Sequence, residues 1–140
     1  MVRTIAVANQ KGGVGKTTTV VSVASNVALA GFRTLLIDLD PQGNATTGVG
    51  VNPREVSTSS YNVLVQQLPL SGARIKEVVP NLDLVPATLD LAGAEVELVP
   101  MFSRELRLRS AISLVENQYD YIFVDCPPSL GMLTINSLAA

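Results

Sequence analysis

Apolar positions along this chain fall into two rhythms. Short apolar runs stand at Ile5-Ala6-Val7-Ala8, Thr34-Leu35-Leu36-Ile37 and Tyr121-Ile122-Phe123-Val124, and a further one, broken by an acid, at Leu82-Asp83-Leu84-Val85. Runs of this length read as strands, and the unbroken ones as strands buried on both faces. Between them apolar residues recur at helical spacing. An Ala/Val-rich stretch follows Thr18, and Ser57 to Gln67 carries Val63, Leu64 and, just beyond, Leu68. Thr88 to Leu98 reads as a helix. Phe102 to Glu116 reads as a stronger one, with Leu106, Leu108, Ile112, Leu114 and Val115 on a broad stripe. Arg104, Arg107 and Arg109 make a solvated face there. Gly31 is a helix-ending glycine and Pro86 closes the strand before it. The expected fold is α/β, a doubly wound, mostly parallel sheet. Thr134 to Ala140 reads as a helix with no cap after it, so the chain is expected to be the amino-terminal part of a larger domain.

Composition narrows the class. The chain has 140 residues, 47% hydrophobic but only 4% aromatic, which fits one α/β domain. Net charge is −2, so no global field attracts nucleic acid. Cys126 has no cysteine partner, which points to a reducing cytoplasm and a buried apolar role. Histidine is absent, which removes histidine-based catalysis and metal binding. No signal peptide or membrane span is expected.

The chemistry concentrates at Lys11-Gly12-Gly13-Val14-Gly15-Lys16-Thr17-Thr18, between the first strand and the first helix. Glycines let successive backbone N–H groups turn inward, and the helix directs its positive end at the same point. Lys16 can then reach β- and γ-phosphates, and the Thr17 hydroxyl can ligate Mg²⁺. Chance gives six such fixed positions at odds of roughly one in tens of thousands. The usual loop begins with glycine, where this sequence has Gln10 followed by a second lysine, Lys11.

Two acidic segments complete the pattern. The second apolar run ends in Asp38-Leu39-Asp40-Pro41-Gln42-Gly43-Asn44. Period 2 puts Asp38 and Asp40 on one face at a strand's carboxyl end, where open α/β sheets bind ligands. The last run ends in Asp125, the Walker B form, which holds Mg²⁺ through water. Pro127-Pro128-Ser129-Leu130-Gly131 follows.

The form K-G-G-x-G-K-T, with D-x-D-P-Q-G-N-A-T from Asp38, resembles the ParA/MinD family of deviant Walker A ATPases. Pro86-Ala87-Thr88 and Leu91-Ala92-Gly93-Ala94-Glu95 resemble its chromosomal, Soj-like branch. The resemblance covers essentially the whole chain. It implies a single P-loop domain with the P-loop at 10–18, switch I at 38–48 and Walker B with switch II at 121–131. It implies that Lys11 reaches across a homodimer to the partner's ATP and that Asp40 positions the attacking water. Lys11, Lys16 and Asp40 are the expected catalytic residues. Lys11, Gly12, Gly13, Val14, Gly15, Lys16, Thr17 and Thr18 are expected to bind nucleotide. Thr17 and Asp125 are expected to hold Mg²⁺, with Asp38 and Asp40 nearby. Further implications are ATP hydrolysis, a ParB-type partner, non-specific DNA bound through the missing half, and a cytoplasmic, nucleoid-associated life without a membrane. The chain alone is expected to be a weak ATPase that self-associates without nucleotide.

Competing readings are weaker. Gly13-x-Gly15 with Asp38 fits a dinucleotide oxidoreductase, but Thr18 stands at the third glycine position. An iron–sulfur carrier needs paired cysteines. A MinD-like positioning ATPase and a cobyrinic acid a,c-diamide synthase (CbiA/CobQ type) share the fold and remain open.

Overall fold

The computed structural model describes residues 2–8, 14–129 and 131–140, with only the backbone of Val14 described. In chain order the elements are β1 (Arg3–Val7), α1 (Val14–Leu29), β2 (Thr34–Asp38), α2 (Asn44–Gly48), α3 (Ser60–Gln66) and α4 (Leu70–Ala73). They continue with β3 (Ile75–Val79), β4 (Leu82–Val85), α5 (Leu91–Glu97), α6 (Arg107–Ser113), β5 (Tyr121–Asp125) and α7 (Met132–Ala139). The strands form one sheet in the order β1-β5-β2-β4-β3, in which β3 alone runs antiparallel to its neighbour. In register, Val7, Asp125 and Asp38 stand side by side, so three strands deliver their carboxyl ends to one place.

Alternation along β2 divides the core. Leu35 and Ile37 join Val85, Ile122 and Val124 beneath helices that supply Val63, Leu91, Leu108, Ile112 and Leu133. Leu36 joins Leu84 and Phe123 on the opposite face, under Val20, Ala24 and Ala28 of α1. The last three recur every fourth residue, and two of them are alanines, so α1 lies close against the sheet. The centre of the sheet is therefore covered on both faces, as the unbroken runs of β2 and β5 predict, whereas β1 lies at the sheet edge and its Ile5 is 39% exposed. No helix among the described residues is long and apolar enough to cross a membrane.

Several expected helices are shorter. The expected Ser57–Gln67 helix begins at Ser60, because Ser59 forms a capping box with Asn62. The expected Thr88–Leu98 helix begins at Leu91. The expected Phe102–Glu116 helix breaks at Ser103, whose φ of 53° is left-handed. A 3₁₀ turn over Arg104–Leu106 precedes α6, and another over Glu116–Gln118 follows it. The stripe narrows to Leu108, Ile112 and Val115, while Leu114 is 72% exposed. Arg104 and Arg109 are exposed as expected, whereas Arg107 is partly buried. β3 has no counterpart in the apolar pattern. It is an edge strand with exposed Lys76 and Glu77 and an irregular register, devices that discourage edge-to-edge pairing.

Candidate nucleotide site

The carboxyl ends of β1, β5 and β2 meet the amino-terminal turn of α1. Gly15 and Thr18 are exposed there, while Thr17 is buried. Thr19 steadies the turn by donating its hydroxyl to the Gly15 carbonyl at 2.7 Å. Lys16 forms an ion pair with Asp125 and donates to the Cys126 carbonyl at 2.6 Å. Thr17 Oγ1 donates to the other Asp125 oxygen at 3.2 Å. Adjacent residues of one helical turn thus converge on the single acid that ends β5. Burial pushes the Asp125 carboxyl above the usual carboxylate range, against the opposing pull of Lys16 and Thr17. Cys126 is buried and its thiol is pushed up, chiefly by the same burial.

Asp38 and Asp40 have separate surroundings. β2 ends at Asp38, so strand alternation does not place Asp40 as expected. Instead the chain turns, and Asp38 Oδ1 accepts from the Asp40 amide at 3.0 Å. Asp38 Oδ2 accepts from the Thr46 amide at 2.9 Å and from the Thr46 hydroxyl at 2.7 Å. That hydroxyl in turn accepts from the Ala87 amide at 3.0 Å. Asp38 thus ties α2, and through Thr46 the segment just after β4, to β2. Asp40 Oδ1 accepts from the Gln42 amide at 3.0 Å, and the Asp40 carbonyl accepts from Gly43 at 2.8 Å. Gly43 has φ 67°, and a Cβ there would stand 3.1 Å from Pro53 Cγ, so this turn requires glycine.

Burial pushes the Asp38 carboxyl up to about 7, although its hydrogen bonds oppose the rise. The folded protein holds this proton more tightly than the unfolded chain. Asp38 therefore contributes stability that is full below about pH 3.8 and is lost as pH climbs through about 7. Nucleotide-free protein should unfold more easily at pH 8 than at pH 5, and Asp38→Asn should flatten that dependence. Urea unfolding across this range measures it; equal slopes in both proteins would remove Asp38 as the source.

The structure brings Lys16, Thr17 and Asp125 together, with the Asp38–Gly43 turn on the adjoining strand. Thr18 lies on a cleft shared with Val21, Asn44 and Thr47, between α1 and α2. Lys11, Gly12 and Gly13 lie outside the described residues, as do the side chain of Val14 and all of Leu130. Sequence reasoning gives no role to Thr46 or Glu95. Thr46 sits inside the D-x-D segment, and Glu95 inside Leu91-Ala92-Gly93-Ala94-Glu95, but their partners are distant in sequence.

Comparison with known proteins matches residues 2–140 to the family AAA_31, described as AAA domain. The chain belongs to this family. Within it, the chain is 53% identical over 140 residues to the sporulation initiation inhibitor protein Soj of Bacillus subtilis (strain 168), covering all of this chain and 55% of that protein. It is 50% identical over 138 residues to the chromosome partitioning protein ParA of Myxococcus xanthus (strain DK1622), covering 99% of this chain and 49% of that protein. The resemblance to Soj-like ParA proteins therefore holds along the whole chain. The AAA-domain chain spans about half the length of these relatives. Among solved structures it superposes on cobyrinic acid a,c-diamide synthase from Mycobacterium smegmatis with bound ADP and magnesium. There the TM-score is 0.93 at 44% identity, over 100% of this chain and 57% of that one. A plasmid partition protein from Borrelia burgdorferi gives 0.87 at 28% identity, over 100% of this chain and 63% of that one. The fold is thus the mostly parallel α/β fold of P-loop ATPases, as the sequence predicts.

Proposed function

We propose that this chain forms the nucleotide-binding part of a ParA-type ATPase acting in chromosome or plasmid partition. The observation that carries the reading is the convergence of Lys16 and Thr17 on Asp125, beside the Asp40 turn. The segments at 10–18, 38–48 and 121–131 act as P-loop, switch I and switch II of one domain. Lys16 exchanges Asp125 and the Cys126 carbonyl for phosphate oxygens of ATP. Backbone amides from Gly12 to Thr18 and the positive end of α1 complete the cradle. The Thr17 hydroxyl and Asp125 carboxylate are hard oxygen donors at hydrogen-bonding separation, a set that suits Mg²⁺. When bound there, the ion supplies positive charge against the phosphate oxygens. Asp40 orients the water that attacks the γ-phosphate, and Lys11 offsets developing charge across a homodimer. The ATP-bound dimer binds DNA without sequence preference, and a ParB-type partner stimulates its turnover. The protein works in the cytoplasm, on the nucleoid.

The likeness to cobyrinic acid a,c-diamide synthase supports a second reading, an ATP-dependent amidation. One experiment separates them. The whole protein carrying this sequence is assayed for ATP hydrolysis with and without DNA, and for glutamine-dependent amidation of cobyrinic acid. DNA-dependent hydrolysis without amidation supports the partition ATPase; amidation supports the second reading and removes the first.

Lys11→Gln should leave folding intact and weaken ATP-dependent dimerisation or turnover by about tenfold or more, since its proposed contact is with the partner's nucleotide. Sedimentation with a slowly hydrolysed ATP analogue, alongside a turnover assay, measures it. A variant that dimerises and turns over normally would return Lys11 to the solvated surface.

A further inference from the structure

The segment after β5 links the proposed nucleotide site to α7, and it is held at both ends. At the near end, the Cys126 amide donates to the Val7 carbonyl at 3.0 Å, and Lys16 donates to the Cys126 carbonyl at 2.6 Å. At the far end, α7 begins after Gly131, which has no side chain with which to cap the helix. The cap comes instead from another helix. Glu95 of α5 receives the Met132 amide on Oε2 at 2.5 Å and the Leu133 amide on Oε1 at 3.4 Å. Its negative charge stands at the positive end of α7. A Cβ added at Gly131 would strike that carboxylate, so the glycine and the glutamate are matched. Thr134 closes the same turn by donating to the Ser129 carbonyl at 2.5 Å.

The stretch that leads into α5 also grips α2 and the start of α3. The Ala87 amide donates to the Thr46 hydroxyl, which donates to Asp38. The Pro86 carbonyl accepts from Ser60 at 2.8 Å, and the Ser60 hydroxyl donates to the Asp38 carbonyl at 2.8 Å. Residues 86–95 thus form one brace that bonds to Thr46 of α2, to Ser60 of α3 and to the first turn of α7.

We infer that Glu95 is a positioning residue for nucleotide turnover. It fixes the start of α7, and through it the Asp125–Ser129 segment, relative to the Asp38–Thr46 loop. The inference rests on the ATPase reading above. Glu95 bonds to the first amides of α7 and not to Lys16, Thr17 or Asp125; its effect falls on the alignment of those groups. Misalignment lowers turnover far more than ground-state binding.

The test compares the unmodified whole protein with Glu95→Gln, Glu95→Ala and Gly131→Ala, measuring kcat and the MgADP dissociation constant. Glu95→Gln is nearly isosteric and keeps one acceptor, so it separates positioning from loss of fold. Glu95→Ala should lower kcat about tenfold or more with MgADP affinity changed less than about threefold. Gly131→Ala should do the same by displacing the carboxylate, and combining the two changes should add little further loss. Glu95→Gln should fall between unmodified protein and Glu95→Ala. Unchanged kcat in folded Glu95→Gln and Glu95→Ala would overturn the inference and leave the ATPase reading standing. Equal loss of MgADP affinity and kcat would also overturn it, because the role would then be structural. Absence of ATP turnover in the unmodified protein would overturn the ATPase reading, and this inference with it.

Discussion

Lys16→Ala is expected to abolish measurable nucleotide binding in the whole protein. The Lys16 side chain is only 5% exposed and its ammonium is paired with the fully buried Asp125. In the proposed complex it faces the phosphates, the most highly charged part of the ligand. Removing one partner from a desolvated charge pair costs about 2–5 kcal/mol, or roughly 30-fold to several thousand-fold in affinity. The nucleotide-free variant carries a second cost, since Asp125 loses its cation while remaining buried. Its carboxyl, already above the usual range, should rise further. Nucleotide titration of the folded variant checks this, with a melting curve to show that it is folded. Unchanged affinity would remove Lys16 from the phosphate site.

Asp40→Asn is expected to retain nucleotide and to lose turnover by about 10²–10⁴-fold, the range for a lost general base or water-orienting group. Asparagine is a cleaner change than alanine. Asp40 Oδ1 accepts from the Gln42 amide, and the asparagine oxygen preserves that bond while removing the charge. Asp40→Ala should give the same catalytic loss with added disturbance of the Asp40–Gly43 turn. In both variants the ATP-bound dimer should accumulate. Single-turnover hydrolysis separates chemistry from product release. Turnover equal to the unmodified protein would leave Asp40 with the turn alone.

The strands that carry the site are legible in the sequence because burial on both faces leaves no room for polar alternation. Thr34–Ile37 and Tyr121–Val124 are such runs, and each ends in an acid placed where the fold puts its ligands. β3 is not legible. Its centre is Lys76-Glu77 and its register is irregular, so an exposed edge strand leaves no apolar signature. The start of α5 shifts for a tertiary reason, whereas the start of α3 is set locally by the Ser59–Asn62 capping box. The chain from Pro86 to Ala87 bonds to Ser60 and Thr46, and it joins a helix only after leaving them. The break at Ser103 is likewise invisible, because a left-handed serine carries no consistent local signal. Asp38 and Asp40 are legible as a pair but not in their division of labour. Alternation treats them alike, whereas the turn ties Asp38 to Thr46 and places Asp40 beyond the strand, where it accepts from the Gln42 amide. Glu95 and Gly131 are separated too far in sequence for any local pattern to join them.

The Lys16–Thr17–Asp125 cluster is proposed to bind MgATP. Competitive titration of the whole protein with ATP, with and without magnesium, and with NAD⁺ as competitor, tests it most directly. The expected result is saturable ATP binding that weakens when magnesium is chelated and is not displaced by NAD⁺. Displacement by NAD⁺, or ATP binding indifferent to both magnesium and Asp125→Ala, would contradict it.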